Sequence, residues 1–126
     1  MDRKMAVTQT EWSIMELLWE SPRTLMELVD ALGKSIGWSK STVTTMVRRM
    51  TEKDLVTYDT DGRTKLFQAA VVREDVVTQE TDSLLERAYN GSLGLMLSTM
   101  VNHKQLSKAD IDELYAILRE AEEGAE

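Results

Sequence analysis

The chain has 126 residues, no cysteine and a formal net charge of −7 at pH 7. That length suits one domain or two very small ones, and the missing thiols exclude disulfides, thiolate metal centres and cysteine nucleophiles. The opening MDRKMAVTQTEW carries charges without an apolar run, so no signal peptide is expected. No stretch approaches the ~18 apolar residues of a membrane span, and a cytoplasmic protein without membrane contact is the expectation. The acidic excess is unevenly spread: residues 1–70 hold 10 Lys/Arg and 10 Asp/Glu, whereas residues 71–126 hold 5 and 12. Salt screens distant charge within about 10 Å at 0.1 M, so a local basic patch in the first half can still face a polyanion.

Thr8-Gln-Thr-Glu11 is a capping box, a hydroxyl followed three residues later by Glu. It opens a first helix with Trp12, Met15, Leu18 and Trp19 on one face, and Ser21-Pro22 ends it. Thr24 to Glu27 repeats the box and opens a second helix, with Leu25, Leu28, Val29 and Leu32 inward and Gly33 as its expected C′ residue. A third helix is expected from near Ser39 to about Lys53, after a short connection containing Gly37. Two helices joined this way form a helix-turn-helix.

The third helix, in the stretch WSKSTVTTMVRRM at 38–50, carries the functional signal. Val43, Met46, Val47 and Met50 recur at i, i+3, i+4 and i+7 and make one apolar face. At about 100° per residue, Ser41, Thr44, Thr45 and Arg48 point the other way, with Lys40, Thr42 and Arg49 on the flanks. The outer face thus offers short hydroxyls for base edges and long cations for phosphates, and it carries no acid until Glu52. A helix of this kind suits the major groove of double-stranded DNA.

Leu55 to Asp59 and Arg63 to Ala69 are rich in β-branched and aromatic residues, and Thr60-Asp61-Gly62 between them marks a turn. A hairpin directly after a helix-turn-helix is the wing of a winged helix. Arg63 and Lys65 lie at its tip, placed for the DNA backbone. The expected first domain is therefore a winged helix-turn-helix over residues 1–72.

The remainder, residues 73–126, is expected to be three helices: about Arg73 to Tyr89, Ser92 to Val101, and one capped by Ser107 and Asp110. Asn90-Gly91 separates the first two, Asn102 to Gln105 is expected as a loop, and Glu120 to Glu126 as a frayed tail. The fifth helix is apolar almost all round, which requires burial on every side. A segment this short is near the lower limit for a core of its own, so a second copy is expected to supply the partner. The expected homodimer interface comprises Val77, Leu84, Ala88, Leu93, Met96, Leu97, Met100, Ile111, Leu114, Tyr115 and Leu118. Met96 and Met100 add adaptable packing there. The fold class is thus mainly α with a small β-hairpin wing: an N-terminal winged helix-turn-helix followed by a C-terminal helical dimerisation domain.

These stretches carry a resemblance. TEWSIMELLWE at 10–20, WSKSTVTTMVRRM at 38–50, DGR at 61–63, ERAYNGSL at 86–93 and LSKADIDELYAIL at 106–118 resemble the penicillinase and methicillin-resistance repressors and their copper-responsive relatives, the BlaI/MecI/CopY family. The resemblance implies a homodimeric repressor of a resistance or homeostasis operon that binds a palindromic operator. It implies base contacts from Ser41, Thr44, Thr45 and Arg48, and backbone contacts from Lys40, Thr42, Arg49 and Arg63. It also implies a regulatory protease as partner, because β-lactam-responsive members are cut within the fifth helix at an Asn-Phe bond. The matching bond here is Thr99-Met100, a different pair. Copper-responsive members carry a C-terminal Cys-x-Cys motif that this chain lacks, so a thiolate sensor is excluded.

The bland readings of the other notable residues prevail. Trp12, Trp19 and Trp38 sit at helical spacing and are expected in the core rather than stacked on bases. His103, the sole histidine, has no second ligand type beside it, and no cofactor is expected. No catalytic constellation, phosphate loop or metal spacing is present, so no enzymatic activity is expected. The alternative to a DNA-binding regulator is a winged helix that binds a protein partner, for which the net negative charge leaves room.

Overall fold

The computed structural model describes residues 6–125, the side chain of Asp61 excepted. In chain order its elements are α1 (Gln9–Glu20), β1 (Arg23–Thr24), α2 (Leu25–Ile36), α3 (Lys40–Glu52), β2 (Val56–Asp61), β3 (Thr64–Ala69), α4 (Arg73–Tyr89), α5 (Leu93–His103) and α6 (Lys108–Gly124). They divide into two compact units, one ending at Asp82 and the other beginning at Ser83. The division falls inside α4, later than the boundary at 72/73 expected from composition. The first half of α4 is held by the first unit: Val76 is completely buried in its core and Arg73 reaches Glu16 of α1.

In the first unit, α1 and α2 each begin at a full capping box. The Thr8 and Thr24 hydroxyls accept from the Glu11 and Glu27 amides, and each Glu carboxylate accepts from the cap amide. Ser39 caps α3 by accepting from the Thr42 amide. Helix α2 runs past Gly33, which is an interior residue rather than the expected terminator. Gly37 ends it instead, at φ 74°, with its amide and that of Trp38 donating to the Gly33 and Leu32 carbonyls. Only glycine takes that left-handed conformation without steric cost.

The sheet is antiparallel in the order β1-β3-β2. Tyr58 pairs with Phe67, Thr60 with Lys65 and Asp61 with Thr64, so the turn is Gly62-Arg63, one step later than the expected Thr60-Asp61-Gly62. Gly62 stands at φ 67° in the first turn position, where a two-residue hairpin favours glycine. Strand β1 was not foreseen: two residues after a proline are too short to show any alternation.

Ile14, Met15, Leu28, Leu32, Val43, Val47, Met50, Leu55, Val56, Phe67 and Val76 form one core, and Trp12, Trp19 and Trp38 pack against its edge. Trp12 and Trp19 meet edge to face with centroids 5.6 Å apart, and Trp19 Nε1 donates to the Val71 carbonyl at 2.9 Å. Burying a Val or Met side chain fully stabilises by about 1.5–3 kcal/mol. With Val43, Val47 and Met50 buried, the rotation of α3 about its own axis is fixed, and so is the face it turns outward.

The second unit contains the end of α4, α5 and α6. Asn90 (φ 50°) and Gly91 (φ 82°) break the chain between α4 and α5 as the Asn-Gly pair predicts. Ser107 and Asp110 form a capping box for α6. Two expectations are corrected. Asn102 and His103 belong to the last turn of α5 rather than to a loop, and α6 continues to Gly124 instead of fraying from Glu120. The Ala- and Glu-rich end of α6 favours helix, and no breaker occurs before Gly124. Neither α5 nor α6 has a buried residue, and Leu93, Leu95, Met100, Val101, Ile111, Tyr115, Ile117 and Leu118 are all exposed. Among the described residues, no helix is long and apolar enough to cross a membrane.

Candidate nucleic-acid interface

Helix α3 spans 13 residues, about 20 Å at 1.5 Å per residue. Its outward face carries Lys40, Ser41, Thr42, Thr44, Arg48 and Arg49, all exposed, with Thr45 half-buried beside them. Thr42, on the flank of the wheel, is exposed, and its hydroxyl accepts from Ser39 Oγ at 3.1 Å. Thr44 Oγ1 donates to the Lys40 carbonyl at 2.8 Å, which uses its proton and leaves its lone pairs available as acceptors. At the open helix end the Lys40 and Ser41 amides precede the first intrahelical acceptor, an arrangement suited to an anionic phosphate oxygen.

The wing closes one side of this surface. Between α3 and the hairpin lies a groove of roughly 660 Å³ lined by Thr44, Arg48, Thr51 and Glu52 from α3, Tyr58, Arg63, Thr64, Lys65 and Phe67 from the hairpin, and Thr24, Leu25 and Met26 from the start of α2. The fold therefore brings Arg48 and Thr44 together with Arg63 and Lys65, residues separated by some fifteen to twenty positions in the chain. Met26 and Tyr58 are not singled out by the sequence, and Thr24 is read there only as a helix cap. Strand alternation could have found Tyr58, since pairing Thr60 with Lys65 puts Tyr58 on the same face of the hairpin.

Charge pairing separates the cations into two groups. Arg23, Lys34, Lys53, Arg73 and Lys108 each reach a carboxylate within 4.0 Å. Among the described residues, no such partner lies near Lys40, Arg48, Arg49, Arg63 or Lys65. Within the described residues of the first unit, the cations without a carboxylate partner are the ones expected to face DNA; in the second unit Arg87, Lys104 and Arg119 also have none. Lys53, at the end of the same helix, is spent differently: Nζ lies 2.8 and 2.9 Å from the two oxygens of buried Glu11. Burial raises the Glu11 pKa, but hydrogen bonds from Lys53 and Thr8 and the Lys53 charge outweigh it, holding the carboxyl below its ordinary value. This pair ties the end of α3 to the start of α1.

No group of three or more His, Cys, Asp or Glu residues with metal-binding geometry occurs among the described residues. In the second unit, the expected interface residues Leu84, Ala88, Leu93, Met100, Ile111, Tyr115 and Leu118 are exposed, and Met96, Leu97 and Leu114 are half-buried. Val77 is half-buried in the part of α4 that belongs to the first unit. An apolar cleft of about 780 Å³ between the end of α5 and α6 is floored by Val101, Leu106, Ile111, Leu114, Tyr115 and Leu118.

The profile of the penicillinase repressor family matches residues 7–120. The chain belongs to that family. It is 30% identical to the penicillinase repressor of Bacillus licheniformis over 115 residues, 90% of each chain. It is 22% identical over 120 residues to the methicillin resistance regulatory protein MecI of Staphylococcus aureus strain N315, covering 94% of this chain and 98% of that one. A solved structure, Rv0081 of M. tuberculosis, superposes with a TM-score of 0.50 at 21% identity over 78% of this chain and 87% of its own, a likeness of fold. Penicillinase repressors and their relatives are transcriptional repressors, not enzymes.

Proposed function

We propose that this member of the family is a homodimeric repressor that sets α3 into the major groove of a palindromic operator, with the wing on the adjacent backbone. The observation that carries this reading is the α3–wing groove, where Arg48, Arg63 and Lys65 converge without a carboxylate partner among the described residues. Arg48 and Thr44 supply base contacts together with Ser41 and Thr45. Lys40, Thr42, Arg49, Arg63 and Lys65 hold phosphates, which fix register without reading sequence. Pairing of two copies through α5 and α6 covers the exposed apolar side chains of the second unit. It also spaces two winged helices for half-sites about one or two helical turns apart.

The regulated genes on this reading are a resistance or homeostasis operon, and release follows cleavage at Thr99-Met100 by a regulatory protease. That bond lies inside α5, where Thr99 Oγ1 donates to the Leu95 carbonyl at 2.9 Å. A protease needs an extended backbone, so α5 must open locally before it is cut. Cleavage there separates the end of α5 and all of α6 from the rest, and with them Met100, Ile111, Leu114, Tyr115 and Leu118 of the apolar pairing surface.

The test is a binding titration of Arg48→Ala against a duplex selected by the parent protein from a random library. Loss of about 1–3 kcal/mol with relaxed preference at one base pair supports the reading. Parent-like affinity with unchanged preference refutes it.

A further inference from the structure

We propose that Tyr58 is a positioning residue for DNA binding: its ring holds Lys65 in the α3–wing groove, where the ammonium takes a backbone phosphate. The proposal rests on the DNA-binding reading above and adds to it a residue that neither the wheel nor the wing-tip argument contains.

Three observations form a chain from the core to the groove. Phe67 is buried, and Tyr58, its direct cross-strand partner, lies against it with ring centroids 5.6 Å apart and planes inclined at 57°. Tyr58 is 39% exposed, so one side of its ring is anchored and another is open. Lys65, paired with Thr60 two positions along the same face, places Nζ 4.5 Å from the Tyr58 ring centroid. Both side chains line the groove opposite Arg48.

A lysine stem has four rotatable carbons, and an exposed one samples many rotamers. Fixing it costs conformational entropy at the moment of binding. A ring already under the ammonium reduces that cost, because the favoured rotamers are populated before DNA arrives. The ring occupies one side of the ammonium and leaves N–H donors free, so stacking and phosphate contact are compatible. Arg63, in the turn itself, has no ring contact or ion pair among the described residues and serves as the unsupported comparison.

The experiment is a double-mutant cycle on the full-length protein: Tyr58→Leu, Tyr58→Phe and Lys65→Ala, singly and with each Tyr58 variant combined with Lys65→Ala. Binding is read by anisotropy on the library-selected duplex and on a scrambled duplex. A cation–π contact at an exposed site corresponds to about two- to fivefold in affinity per wing. Tyr58→Leu, which alters both wings of the dimer, is expected to weaken binding to both duplexes by the square of that factor, about four- to twenty-five-fold, Tyr58→Phe to retain parent affinity, and Tyr58→Leu to have no further effect once Lys65 is Ala. Thermal unfolding monitors the wing; if Tyr58→Leu destabilises it, Tyr58→Ile, a strand-favouring aliphatic residue, takes its place in the same cycle with the same expectations. Additive effects of Tyr58→Leu and Lys65→Ala would overturn the proposal. So would tighter binding by Tyr58→Leu, which would mean that the ring sequesters Lys65 from DNA. If the parent protein does not distinguish the two duplexes, the DNA-binding reading itself fails, whatever the cycle returns.

Discussion

Replacing Lys53 by Met removes the cation that ties α3 to α1 while keeping most of its stem. Glu11 then remains with a side chain only 6% exposed and loses two contacts, at 2.8 and 2.9 Å, whereas the Thr8 amide at 3.0 Å stays. Breaking a fully buried ion pair costs about 3–5 kcal/mol. Lys53 is 38% exposed, so water replaces part of the lost contact and the cap hydrogen bond persists; about 2 kcal/mol is the expected loss. For a unit of this size, that lowers Tm by roughly 8–16 °C. Unfolding should be followed by circular dichroism at one protein concentration, since a dimer's Tm depends on it.

The pH dependence gives a second check on the same pair. The folded pKa of Glu11 is lowered, so its stabilisation is fully present above the unfolded value of about 4.3. It is lost as pH falls from there through the lower folded value. The gap between parent and Lys53→Met should therefore be widest near neutrality and should narrow in acid. Equal Tm values at neutral pH, or a gap that persists undiminished in acid, would refute the reasoning.

Other consequences can be checked singly. Arg49→Ala should weaken binding to every sequence alike and reduce the salt slope by about one, measured by anisotropy at several salt concentrations. Leu118→Glu places a charge at a side chain 53% exposed in the single chain. It should leave the helical content of the monomer unchanged yet dissociate the dimer in analytical ultracentrifugation, and an intact dimer would exclude Leu118 from the interface. Gly33→Ala should stabilise by about 0.5–1 kcal/mol, because the added Cβ meets only the Trp38 carbonyl at an ordinary 3.5 Å within a helix. Gly37→Ala should destabilise, since φ there is 74°; denaturant titration of the two variants compares the opposite signs.

Much of the fold is legible in the residues because local signals agree with one another. The hydroxyl-x-x-acid boxes at Thr8, Thr24 and Ser107 mark three helix starts, and each is a working cap. The period of Val43, Met46, Val47 and Met50 gives the outward face of α3 before any coordinate is known. What is missed depends on contacts between distant residues. Lys53 looks like any other cation of the basic stretch until the fold brings it to Glu11, 42 positions away. Strand β1 exists only because β3 lies beside it. Gly33 and Gly37 are both plausible terminators by type, and the difference lies in which one the Leu32 and Gly33 carbonyls reach. The groove is legible in part: its cations are the expected ones, whereas Tyr58 and Met26 enter it through hairpin register and the start of α2.

The central claim is that two copies of the α3–wing surface read a paired site in DNA. Its most direct test is anisotropy of the full-length protein on the library-selected duplex and a scrambled control, between about 50 and 200 mM salt, with stoichiometry from sedimentation of the complex. The account predicts two chains per duplex, affinity for the selected site at least about a thousandfold above the control, and a steep loss of affinity with salt on both. Equal binding to the two duplexes, or one chain per site with little salt dependence, would contradict it.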